Sequence, residues 1–118
     1  MKNQISYIET EKRRYPICFN LNVMEEIQEE YGSMSKWGDI VENKEGGEPM
    51  MKDLKKGLMA MINEAIDMQN EDREEKAEFV TSKQVGRIIG EVGFNKITSI
   101  IKDVSVNATK TGESEKNT

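Results

Sequence analysis

Residues 50–79, "MMKDLKKGLMAMINEAIDMQNEDREEKAEF", hold the longest apolar periodicity in the chain. Leu54, Leu58, Met61, Ile62, Ala65 and Ile66 recur at helical spacings, and Met51, Met59 and Met68 widen the stripe they make. At about 100° per residue these side chains share one broad face, so the segment reads as a central core helix. Pro49 suits its first helical position, where the missing N–H has no partner to lose. The apolar pattern stops in "QNEDREEK", where the helix is expected to fray.

Working toward the N-terminus, the paired glycines and charges of "ENKEGGEP" mark a mobile surface loop. Before it, Trp37, Ile40 and Val41 share a face of a short helix that Ser33 or Ser35 can cap. The segment "NLNVMEEIQEEYG" reads as another helix, capped by Asn22 with Glu25 three residues on and closed by Gly32. Val23, Met24, Ile27 and Tyr31 lie on one arc of it, while Glu25, Glu26 and Glu29 point away, so its acids are read as a solvated face. A carboxylate metal site would need those acids turned inward with histidine companions, and the chain has no histidine.

The first segment, "QISYIETEKRRYPICFN", reads as a β-hairpin around "TEKR". Tyr15, Ile17 and Phe19 alternate with Arg14, Pro16 and Cys18, and Ile5 and Tyr7 begin a similar alternation. Pro16 cannot donate to a ladder, which places its strand at an edge or leaves it paired on one side there.

Downstream, Thr81 and Gln84 cap a fourth helix carrying Val85, Ile88, Ile89 and Val92. Gly93 stops it, and Asn95 opens a fifth with Ile97, Ile100, Ile101 and Val104 on one side. Gly86 and Gly90 are expected to allow close approach of another element. The fold class is therefore α+β and mostly α-helical, an N-terminal hairpin packed on about five helices. Residues 1–108 form a single domain, and residues 109–118 form a disordered polar tail.

Composition narrows the function. The chain has 118 residues, 36% hydrophobic and 33% charged, with a net charge of −5. Residues 20–80 carry sixteen acids against seven bases, so no broad basic surface for nucleic acid is offered. No apolar run reaches membrane-spanning length or resembles a signal peptide, and a single cysteine fits a reducing compartment, so a cytoplasmic protein is expected. Without histidine, and with Cys18 alone, no nucleophile–base pair or ligand set can be assembled; catalytic, cofactor-binding and metal residues are read as none. The glycines of "GRIIGEVG" lack the strand and the lysine of a phosphate loop.

What remains is binding. Eight methionines are present, seven of them between residues 20 and 70, and flexible thioethers suit either an irregular core or a surface that adapts to a partner helix. Met50, Met51, Met59 and Met68, at the margins of the core stripe, are candidate partner contacts. Trp37 reads first as a core or hinge anchor and second as a member of that contact set. The pair of helices in "TSKQVGRIIGEVGFNKITSII" also has the outline of a helix-turn-helix DNA reader, although its second helix offers no arginine.

The order of elements, from the hairpin ending in "FNLNVMEEIQEEYG" through a Trp-bearing turn, a Met-rich long helix and a final helical pair to a charged tail, resembles tail assembly chaperones of long-tailed bacteriophages and prophages, in their short, lambda-type form. The resemblance spans about residues 5–108 and contains no catalytic motif. It implies a non-enzymatic protein that binds the tape measure protein, keeps it soluble and helps recruit tail tube subunits in the host cytoplasm. Homo-oligomerisation stays open. A helix-turn-helix regulator, or a structural tail or connector component, are the alternatives.

Overall fold

The computed structural model describes residues 4–117, with side chains through residue 108. Strands β1 (Ser6–Glu9) and β2 (Arg14–Ile17) precede helices α1 (Leu21–Tyr31), α2 (Met34–Glu42), α3 (Met51–Asn70), α4 (Ser82–Val92) and α5 (Phe94–Asn117). The chain is thus mostly helical with one antiparallel N-terminal hairpin, as its periodicities require. The tail expected over 109–118 falls on residues whose side chains are outside the described set.

α3 lies at the centre and touches β2, α1, α2 and α4. The six apolar residues of its stripe, Leu54, Leu58, Met61, Ile62, Ala65 and Ile66, are all buried, and α4 covers them with Val85, Ile88 and Ile89. α5 adds Ile97 and Ile101 to the same apolar cluster. Full burial of such a side chain contributes on the order of 1.5–3 kcal/mol, so this stripe is the main source of cohesion.

In the hairpin, Thr10 N–H donates to Arg13 O at 3.0 Å and the register pairs Ile8 with Tyr15 and Tyr7 with Pro16. Antiparallel ladders alternate bonded and non-bonded pairs, so Ile8↔Tyr15 is bonded and Tyr7↔Pro16 is not. Pro16 therefore leaves no gap toward β1. The inward residue of β1 is Ile8, fully buried, whereas Tyr7 is exposed and Ile5 only half-buried. This corrects the expected Ile5–Tyr7 alternation: Tyr7 shares the other face of the sheet with Pro16.

The caps differ in detail from the reading of sequence. Asn20, not Asn22, caps α1, its Oδ1 accepting from Val23 N–H at 3.1 Å. Its Nδ2 and that of Asn22 both donate to Glu64 of α3, at 2.7 and 2.9 Å, so the two asparagines bracket one carboxylate. Ser33 caps α2 and Thr81 forms a full capping box with Gln84. Pro49 stays outside α3, since Met50 holds the N-cap position and donates its N–H to Val41 O at 2.8 Å. Ile40 is turned out, leaving Trp37 and Val41 as the buried face of α2.

The close approach occurs at Gly57, where a Cβ would stand 2.0 Å from Trp37 Cζ2 and 2.5 Å from Cε2, too close for either to stay in place. The indole lies against the bare backbone of α3 and its Nε1 donates to Asp53 O at 2.9 Å, the carbonyl one turn before Gly57. Gly86 meets only the Lys55 side chain at 3.5 Å and Gly90 meets nothing within 4 Å, so neither admits a neighbouring backbone as expected.

α3 ends at Asn70, within the stretch where the apolar pattern stops, and past the turn that follows the chain is stitched back along it. Asn70 Nδ2 donates to Ala77 O at 3.0 Å and Oδ1 accepts from Ala77 N–H at 2.9 Å; Asn63 does the same with Val80, at 3.2 and 2.8 Å. Seven helical residues rise about 10.5 Å and three extended residues span about 10 Å, so the two spacings match. Each side-chain amide thus serves residues 77–80 as a strand partner would.

Three substitutions test this packing by chemical denaturation. Gly57→Ala should lower stability by about 2 kcal/mol or more, because the added methyl must displace a packed indole, while Gly90→Ala should raise it by roughly 0.5–1 kcal/mol in open space. Asn70→Ala should cost about 1–3 kcal/mol by orphaning two main-chain groups at residue 77.

Candidate partner-binding groove

Five residues were singled out by sequence for partner contact, and the structure separates them. Met50 and Met51 are each 41% exposed at the start of α3, Met59 is half-buried against the core, and Met68 is half-buried at its far end. Met68 Sδ lies 3.8 Å from Cys18 Sγ and 3.6 Å from Asn20 Nδ2, which ties it to the strand-to-helix junction. Trp37 is 5% exposed and its ring is committed to Gly57. These side chains share no single patch.

An apolar groove does exist, between α2 and α5. Met34, Trp37 and Val41 form one wall, Ile101 and Val106 the other, and Leu54 the floor, around a cavity of about 200 Å³. Val106 is 54% exposed on the rim, where Glu42 and Lys102 stand at the edges. The edge of Trp37 is the one member of the sequence-derived set that reaches it. Sequence could not single out Val106 or Met34, because their partners lie about 70 residues away along the chain.

The groove exists because Asp53 fixes α1 and α2 at the first turn of α3. Its carbonyl holds Trp37, and its carboxylate accepts from Tyr31 Oη at 2.7 Å. An acid at this position also faces the positive end of the α3 dipole. Burial, the hydrogen bond to Asp53 and the charges of Asp53 and Glu30 raise the Tyr31 pKa above the ordinary phenol value.

Among the described residues the acid–base pairs are Lys44–Glu42 and Lys56–Glu30, both on the surface and away from the groove floor. Burial, then the Glu64 charge, pushes the Cys18 thiol up to about 12, which keeps it protonated and unreactive near neutrality. Glu25, Glu26 and Glu29 are exposed on α1, and among the described residues no three His, Cys, Asp or Glu groups converge as a metal site. Among them, no helix is long and apolar enough to cross a membrane. α4 and α5 are joined by Gly93 alone, at φ 99°, whereas a helix-turn-helix uses a turn of three or four residues.

No family model, curated protein or solved structure matches the chain. The groove itself must therefore carry the functional reading.

Because the Tyr31 pKa is raised on folding, the stability it adds is complete below the unfolded value of about 10 and is lost as pH climbs through the folded value. Tyr31→Phe should flatten the fall in urea midpoint between about pH 9 and about pH 11; wild-type and variant curves of equal slope would discard this assignment.

Proposed function

We propose that the protein is a tail assembly chaperone that holds an apolar helical segment of a tape measure protein. The groove between α2 and α5 carries this reading. An exposed amphipathic helix needs an apolar trough on a charged body, and helix-in-groove recognition provides one. Lys102 and Glu42 on the rim supply a charge of each sign for orientation, and the acidic surface of α1 keeps the complex solvated. The succession of hairpin, Trp-bearing helix, Met-rich long helix and final helical pair supports the same reading through its resemblance to that family.

Val106 is the residue to change, since it is exposed and its replacement leaves the core intact. Co-expression with a tape measure fragment should yield a soluble complex that Val106→Glu abolishes or weakens at least tenfold, measured by co-purification. Met51→Asp, on the exposed start of α3, should leave that complex unchanged. Loss with Met51→Asp and retention with Val106→Glu would move the binding surface to the α3 N-terminus and overturn the groove assignment.

A further inference from the structure

A second surface, on the opposite part of α3, has different chemistry. Arg13, Arg14, Tyr7, Tyr15 and Pro16 of the hairpin face Ile66, Gln69 and Arg73 of α3 across a cleft of about 250 Å³, closed on the third side by residues 77, 78 and 80. The Arg14 guanidinium lies 4.0 Å from the centre of the Tyr7 ring and that of Arg13 lies 4.5 Å from Tyr15. Arg73 donates to Gln69 Oε1 at 3.3 Å, and Gln69 Nε2 donates to Tyr7 Oη at 3.0 Å. All three guanidinium groups are thereby oriented by neutral partners.

Their lack of acid partners is what asks for an explanation. The chain carries 22 acids against 17 bases, yet the ion pairs of the described residues are Lys44–Glu42 and Lys56–Glu30, and none of the three arginines belongs to them. Glu78 is the one acid lining the cleft. Three like charges line one cleft; stacking of Arg13 and Arg14 on aromatic faces leaves their N–H forks available to a planar anion, and Arg73 spends only one N–H on Gln69.

The main chain narrows the ligand. By the alternation of the ladder, the N–H and C=O of Arg14 and the C=O of Pro16 point away from β1, toward this side. Cys18 N–H, next along the same edge, is already satisfied by Met61 O at 3.3 Å, so α3 closes the edge there and leaves it open beside Arg14. At about 250 Å³ the cleft is smaller than the roughly 300–1,000 Å³ of small-molecule sites, which suits side chains of a polymer over a whole cofactor.

We infer that the Arg13–Arg14–Arg73 cleft binds an extended, carboxylate-bearing peptide segment of a partner protein, its acids on the guanidinium forks and its backbone along the open edge at Arg14. The site uses none of the groove residues, so it stands or falls apart from the chaperone reading.

The probe is a fluorescein-labelled peptide of alternating Glu and Val, titrated with the full chain at about 50 mM salt and followed by anisotropy. Binding should weaken at least tenfold in Arg14→Glu and in Arg73→Glu, and should weaken as salt rises. A Lys and Val peptide should not bind, and Val106→Glu should bind the acidic peptide as the wild type does. Circular dichroism on each variant checks the fold, and Arg14→Lys, which keeps the charge but loses the fork, should fall between wild type and Arg14→Glu. Absence of binding, binding indifferent to both charge reversals, or full displacement by millimolar inorganic phosphate would overturn the inference, the last by assigning the cleft to a free oxyanion.

Discussion

Everything in this fold is arranged around the contact of one indole with one bare turn of helix. Gly57 sits within an α-helix where alanine would be favoured by about 1 kcal/mol, and its missing side chain lets Trp37 reach the carbonyl of Asp53. That contact sets the distance between α2 and α3. Since α5 packs its Ile101 into the same cluster, the width of the groove between α2 and α5 depends on it as well.

A second constraint comes from polar groups with no partner in regular structure. Extended chain laid on a helix exposes N–H and C=O groups that the helix backbone cannot satisfy, because its own are internally paired. Asn63 and Asn70, two turns apart on the same face, supply those bonds from side chains. The result is that residues 77–80 lie in register along α3, deliver Val80 to the core and wall one side of the arginine cleft. Asn20 plays the corresponding part at the other junction, capping α1 with one atom and holding Glu64 with the other.

The two surfaces that result differ in character. One is an apolar trough with mixed charges at its rim, the other a cleft of three arginines, two of them stacked on tyrosine rings, beside an open strand edge. An acidic protein that keeps three arginines unpaired in one cleft forgoes ion pairs that its own carboxylates could have made. Exposed pairs are worth little, typically 0–1 kcal/mol, so leaving them unmade costs little stability and keeps the cations for another molecule.

Local spacing along the chain is enough to specify the elements: five amphipathic helices and a hairpin, the buried stripe of α3, the capping box at Thr81, the edge position of Pro16 and the outward set of the α1 acids. These depend on spacing within a few residues, which a linear chain displays directly. Which glycine is a contact point, which asparagine is a cap, and where the open surfaces lie depend on how distant elements pack. Gly57, Gly86 and Gly90 look alike in the sequence, and what separates them is the ring that arrives from α2, 20 residues away along the chain at Gly57. Likewise the methionines chosen for their flexibility are scattered along α3, while the groove is made by Val41 and Val106, which meet only once α2 and α5 have both found the core. Local pattern sets which side of each helix is apolar, and long-range packing sets which part of that side stays uncovered.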